Sequence, residues 1–171
     1  MTEINKPILK NLIQVGVVVK NLNRTLEKYV YDYGIGPMYV LRFSPDNVSN
    51  MCVHGRRKNY SMNIGVCPIG DIRFELIEPL SQSMYSEFYD SYGEGVINHL
   101  KIGTDNYQDT LEHLKSFGIT ILQSGTQSGD RGKNKYYYLS TDYSLGFILE
   151  IVFVCIDQNM RSSHLVELFH Y

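Results

Sequence analysis

The chain has 171 residues, of which 43% are hydrophobic and 20% charged, which is typical of a globular protein rather than a disordered one. The formal net charge of -2 argues against a broad basic face for nucleic acid. No apolar run approaches the roughly 20 residues that span a bilayer, and residues 1–10 lack the apolar core of a signal peptide. We therefore expect a cytoplasmic protein without nucleic-acid or membrane partners.

The first half of the chain reads as one strand, one helix and three further strands. The strand at residues 13–19 is apolar, and Asn21 and Asn23 offer turn and N-cap chemistry before helical spacing begins. Pro68 to Asp71 is a hairpin signal between the last two strands. The predicted elements are a helix at 25–33, strands at 39–43, 60–67 and 72–78, and a polar loop at 44–50.

The second half repeats this order. The predicted elements are strands at 99–103, 119–123, 135–140 and 146–154, a helix at 107–117, and a loop rich in Gly, Ser and Thr at 124–134. With Gln14 placed on His99, an offset of 85 (99 minus 14), Thr25-Leu-Glu falls on Thr110-Leu-Glu without a gap. A repeat of this length indicates a duplicated module rather than a solenoid unit.

The repeat predicts an α+β protein of two tandem βαβββ modules. We place the first module at residues 12–80, a linker with a short helix and loops at 81–96, the second module at 97–156 and a C-terminal tail at 157–171. The three cysteines are far apart and form no Cys-x-x-Cys pair, so we expect reduced thiols.

Four polar residues stand at equivalent places on these apolar strands. Gln14 and His99 open the first strand of each module, and Glu75 and Glu150 lie in the last strands. A single Glu in a strand usually faces solvent, but a buried carboxylate needs a partner or a cation. If the repeat brings the four together, they suit a Zn²⁺, Ni²⁺, Co²⁺ or Mn²⁺ ion with open positions.

The chain resembles the vicinal-oxygen-chelate superfamily, which includes glyoxalase I, methylmalonyl-CoA epimerase, extradiol dioxygenases and antibiotic-resistance proteins. The resemblance covers roughly residues 12–155. It rests on Gln14-Val-Gly-Val-Val-Val-Lys-Asn-Leu, Ile72-Arg-Phe-Glu-Leu-Ile-Glu-Pro-Leu, Gly95-Val-Ile-Asn-His-Leu and Leu145-Gly-Phe-Ile-Leu-Glu. It implies a cupped mixed sheet around a metal ion held by Gln14, Glu75, His99 and Glu150.

The resemblance further implies proton transfer next to a chelated carbonyl of a small substrate with neighbouring oxygens. The metal would act as a Lewis acid. Glu150 is the candidate base, with Glu75 as ligand or second base. This favours a metal-dependent lyase or isomerase of the glyoxalase or epimerase type.

Three departures from the family narrow that choice. Val18 and Pro79 stand where glyoxalase I has an Arg and an Asn, which argues against a glutathione substrate. Asn59 stands where related epimerases carry an extra Glu base, which argues against two-base epimerisation. A ligand set with one His argues against iron-dependent oxygen chemistry.

Lys101 is a candidate for binding the substrate, because strand alternation puts it on the face of His99; the alternative is an edge Lys in solvent. Further candidates for the cleft wall are Tyr60, Asn63 and Tyr138.

Two other functions stay open. One is a metal-independent drug-binding or resistance protein, and the other is an interaction protein that uses the tail. We expect a homodimer.

Overall fold

The computed structural model describes residues 8–129 and 132–153. The tail at 157–171 and Cys155 lie outside the described residues. The described strands are Asn11–Val18 (β1), Tyr39–Phe43 (β2), Val48–Val53 (β3), Arg56–Arg57 (β4), Met62–Ile69 (β5), Ile72–Pro79 (β6), Ile97–Thr104 (β7), Ile121–Gly129 (β8), Gly132–Leu139 (β9) and Ile148–Phe153 (β10). The helices are Leu22–Tyr31 (α1), Met84–Tyr92 (α2), Tyr107–Ser116 (α3) and Asp142–Leu145 (α4).

The described strands form one mixed, curled sheet in the order β2-β5-β6-β1-β7-β10-β9-β8-β3-β4. In each half, the first and last strands pair in parallel, β1 with β6 and β7 with β10. The two halves meet where β1 runs antiparallel to β7. This confirms the predicted α+β class and places the first and last strands of both halves side by side at the centre.

Asparagine caps start the two equivalent helices. The Asn21 side chain accepts a hydrogen bond from the Arg24 backbone N–H at 2.9 Å, and the Asn106 side chain accepts from two backbone N–H groups of α3. Helix α1 therefore begins at Leu22, three residues before the predicted start. Leu22 and Leu111 pack these helices on one face of the sheet.

Two predicted loops are wrong in part. Residues 48–50 belong to β3, which extends to Val53 and pairs with β8. Residues 124–129 and 132–134 lengthen β8 and β9, which pair with each other along their whole length. Gly and Asn have weak strand preference, but backbone pairing on both sides of β8 overrides it. The first half of the chain thereby adds a hairpin to the outer edge of the second half.

Helix α2 lies in the segment predicted as a linker and packs on the concave face of the sheet. Met84, Tyr85 and Phe88 are buried there in one cluster with the Val18 and Ile148 side chains. The connecting segment therefore contributes to the core on the concave face. No helix in the described part is long and apolar enough to cross a membrane. Two of the cysteines, Cys52 and Cys67, carry free thiols as predicted.

Candidate functional site

The four central strands bring polar side chains together in two neighbouring rows. In one row, Lys101 of β7 lies between Gln14 of β1 and Glu150 of β10. In the next, Gly16 of β1 lies between His99 of β7 and Glu75 of β6. The predicted pairing of equivalent positions therefore agrees with the sheet register.

Gly16 leaves the space that His99 occupies. A Cβ atom at residue 16 would overlap the imidazole ring. The motif Gln-Val-Gly thus carries two parts of one arrangement: Gln14 contributes its amide, and Gly16 admits the His ring. Gly16 is visible in the sequence, but the reason that residue 16 must be a glycine appears only once β1 and β7 are paired.

The hydrogen bonds of His99 assign its tautomer. Nδ1 lies 3.0 Å from Asn98 Oδ1, which can only accept, so Nδ1 carries the proton. Nε2 then accepts from Gln14 Nε2 at 3.0 Å. Glu150 Oε2 lies 3.4 Å from the same nitrogen. The imidazole therefore presents an unprotonated Nε2 to the centre of the site.

Burial sets the protonation of this group of residues. His99 is fully buried, and burial lowers its pKa to about 3, helped by the positive charge of Lys101. Burial raises the pKa of Glu150 to about 6, while Lys101 acts in the opposite direction. Burial also raises the pKa of Glu75, against the charges of Lys101 and Arg73. At neutral pH the site therefore holds a neutral imidazole beside carboxylates of raised pKa.

Lys101 is the cation at the centre of the site. Its Nζ lies 3.0 Å from Glu150 Oε1 and donates to Gln14 Oε1 at 3.4 Å. Its side chain is 18% exposed, whereas that of Glu150 is 1% exposed. The predicted Lys therefore does lie at the site, and the edge position in solvent is excluded.

Glu75 joins the site from the neighbouring row. Its Oε1 lies 3.8 Å from Nη1 of Arg73, which precedes it by two residues on the same face of β6. Arg73 is not among the residues predicted from the sequence, although alternation from Glu75 identifies it. The partly exposed side chains of Arg73 and Lys101 put positive charge where the cup meets solvent.

The remaining predicted wall residues divide between the two faces of the sheet. Tyr138 lies opposite Glu150, with its ring centre 5.1 Å from that of His99. Its hydroxyl accepts a hydrogen bond from Tyr85, a residue that the sequence analysis did not single out, at 2.6 Å. Tyr60 is buried deeper and donates to the Ser124 carbonyl at 2.9 Å.

Asn63 does not face this site. Its neighbours Met62 and Ile64 point into the concave cluster, so Asn63 points to the α1 side. There its amide donates to Glu78 at 2.8 Å. The structure therefore places Asn63 apart from the other candidates, as the apolar residues on either side of it could have indicated.

The four predicted ligands are of chemical types that suit a divalent ion, but their arrangement in the structure does not suit one. An imidazole nitrogen, an amide oxygen and two carboxylates are suitable ligands. Among residues 8–129 and 132–153, however, no three His, Cys, Asp or Glu side chains group closely enough to hold a metal ion. The Lys101 ammonium contacts two of the four predicted ligands. The arrangement described here therefore does not fit a divalent ion, and the metal site stays a prediction.

The buried His99 makes stability depend on pH. Its pKa is about 3 in the folded chain against 6.5 as the ordinary value, so below pH 6.5 only the unfolded chain gains this proton. The free energy of unfolding in wild type, relative to His99→Gln, should therefore fall by roughly 1 kcal/mol per pH unit between about pH 6 and 4.5. Urea unfolding of both proteins across this range measures it. A constant difference between them contradicts the account.

Comparisons with known proteins give both a family and structural neighbours. The model of the glyoxalase/bleomycin resistance protein/dioxygenase superfamily matches residues 13–138. No curated protein sequence matches the chain.

Several solved structures share the fold at low sequence identity. A hypothetical protein of Bacillus halodurans is 24% identical, with a TM-score of 0.55 over 84% of this chain and 94% of that one. A methylmalonyl-CoA epimerase in complex with methylmalonyl-CoA and NH4+ is 18% identical, with a TM-score of 0.59 over 86% of this chain and 96% of that one. The epimerase of Mycobacterium tuberculosis is 18% identical, with a TM-score of 0.56 over 89% of this chain and 93% of that one.

Proposed function

Because the chain belongs to the glyoxalase/bleomycin resistance protein/dioxygenase superfamily, we propose that it is a lyase or isomerase that moves a proton on a carbon next to a carbonyl group. The substrate class is a small molecule with neighbouring oxygens. The observation that carries the proposal is the state of Glu150. Its Oε1 is held by Lys101, whereas its Oε2 has no hydrogen-bond partner among the described residues.

Glu150 has the properties of a general base. A buried carboxylate with a pKa of about 6 is largely ionised at neutral pH and still accepts a proton readily. Oε2 takes the proton from the carbon, and the electron pair of the C–H bond moves to the carbonyl oxygen as an enolate. Return of a proton to a neighbouring carbon, or to the opposite face of the same carbon, completes the isomerisation. Glu75 is the second carboxylate within electrostatic range.

Positive charge on partly exposed side chains of the site favours an anionic substrate. Arg73 and Lys101 are the partly exposed cations there. Methylmalonyl-CoA epimerases are among the structural neighbours, and one of them is in complex with methylmalonyl-CoA and NH4+. We therefore propose a carboxylated thioester or a 2-oxo acid as the substrate. The absence of an Arg at Val18 and an Asn at Pro79 argues against a glutathione adduct.

The second candidate is the metal-dependent form of the same reaction. The observation that favours it is the donor set of Gln14, Glu75, His99 and Glu150, together with the unpartnered Glu150 Oε2. Zn²⁺, Ni²⁺, Co²⁺ or Mn²⁺ held there would supply Lewis-acid stabilisation of the enolate. Lys101 weighs against this form. A homodimer and a cytoplasmic location also stay predictions.

Solvent hydrogen exchange tests the proposed function without knowledge of the final product. The purified chain in D₂O should catalyse deuterium uptake next to the carbonyl of a 2-carboxyacyl thioester or a 2-oxo acid. The glutathione hemithioacetal of methylglyoxal should not react. Proton NMR measures the loss of the C–H signal. If the candidates bind but none exchanges, the chain is a small-molecule binding or resistance protein instead.

A further inference from the structure

The centre of the site is occupied by a charged group of the protein itself. Lys101 stands in the same row of the sheet as Gln14 and Glu150, directly between them. Its Nζ is within 3.4 Å of an oxygen of each. These two oxygens belong to the predicted metal ligands, so the ammonium already contacts the atoms that a metal ion would need.

The charge of Lys101 reaches the rest of the predicted ligand set. It lowers the pKa of both Glu75 and Glu150, and it also lowers that of His99. This ammonium belongs to the residue that stands between Gln14 and Glu150 in one row of the sheet, next to the row that holds His99 and Glu75. It compensates the buried carboxylate charge, which is the electrostatic role of a bound cation.

A divalent ion and this ammonium are incompatible in the same site. An ion bound to Glu150 Oε1 would lie about 2 Å from that oxygen, and Nζ lies 3.0 Å from the same atom. The two cations would then be no more than about 5 Å apart. Because His99 and Glu150 are buried, little water is present in the site to screen the two charges. Their repulsion would oppose metal binding.

We propose that the ε-ammonium of Lys101 replaces the divalent ion as the resident cation of this site and holds the anionic oxygen of the substrate. The proposal rests on the proposed function for the identity of that oxygen, an enolate or carboxylate. The ammonium can donate two of its three hydrogens to Gln14 Oε1 and Glu150 Oε1, which leaves the third for the ligand. Partial exposure of the Lys101 side chain gives the ligand access to it.

Metal titration by calorimetry tests the replacement without any substrate. Zn²⁺, Ni²⁺, Co²⁺ and Mn²⁺ are each titrated into wild type, Lys101→Ala, Lys101→Arg and the exposed-lysine control Lys20→Met. Wild type, Lys101→Arg and Lys20→Met should bind no ion at micromolar concentration. Lys101→Ala should bind one ion per chain, at least about a hundredfold more tightly than wild type. The gain should disappear in Lys101→Ala combined with Glu150→Gln.

Two results would overturn the proposal. One is stoichiometric, tight binding of an ion by wild type, and the other is a folded Lys101→Ala that binds no better than wild type. Circular dichroism reports folding, and Lys101→Met, which keeps the side-chain volume, takes the place of Lys101→Ala if that variant unfolds. Failure of the proposed function gives a different result. Wild type that binds no metal ion and catalyses no deuterium exchange would exclude the enzymatic activity, but the assignment of Lys101 as the resident cation would stand.

Discussion

Glu150→Gln should lower the rate of deuterium exchange by about 10²- to 10⁴-fold, the usual contribution of a positioned general base. The amide keeps the shape of the side chain, but it cannot take a proton from carbon. In wild type, Oε2 is the carboxylate oxygen without a partner among the described residues, so the substitution removes the proposed acceptor itself. Initial rates at pH 7.5 under saturating substrate measure the loss.

The matched control is Glu78→Gln on β6. Glu78 is also a carboxylate on a central strand, but it contacts Asn63 and the start of α1 on the other face of the sheet. Its substitution should leave the exchange rate within about twofold, since surface changes away from a site have small effects. Equal rates for wild type and folded Glu150→Gln would remove Glu150 as the base.

Phe88→Ala should lower the free energy of unfolding by about 3–5 kcal/mol, as expected for truncation of a buried aromatic side chain. Phe88 is 6% exposed and belongs to the concave core cluster together with Met84 and Tyr85 of the same helix. Its loss leaves a cavity between α2 and the sheet. Urea unfolding monitored by tyrosine fluorescence gives the value.

Tyr143→Ala is the control for aromatic truncation, because Tyr143 is 97% exposed. It should change the free energy of unfolding by no more than about 0.5 kcal/mol. A similar, small effect of both substitutions would mean that α2 does not contribute to the core and that the segment behaves as the linker predicted from the sequence.

The sequence was sufficient for the fold class and for most strand positions, whereas the roles of the candidate residues stay predictions. The offset of 85 that places Gln14 on His99 identified β1 and β7 as equivalent strands, and these two strands lie side by side in the sheet. Apolar strands such as β5 and β6 were predicted within two residues of their observed ends. Both results rest on local patterns, namely periodicity and repetition, which one sequence contains in full.

The pairing partners of the strands and the burial of side chains were not predictable in the same way. The Ser- and Gly-rich part of β8 is a strand because β3 and β9 pair with it, and neither partner is evident from local preference. Alternation put Lys101 on the correct face, but it did not reveal that its ammonium lies between two predicted metal ligands. Burial of α2 in the cup likewise depends on tertiary packing.

The most direct test of the account is the exchange rate of wild type with and without metal ions. The purified chain is dialysed against a strong chelator and assayed, then assayed again after addition of Zn²⁺, Ni²⁺, Co²⁺ or Mn²⁺. Proton transfer by Glu150 beside the Lys101 ammonium predicts exchange that survives the chelator and does not increase with any ion, with a rate that rises with pH through about 6 and then levels off. Exchange that the chelator abolishes and one of these ions restores would contradict it.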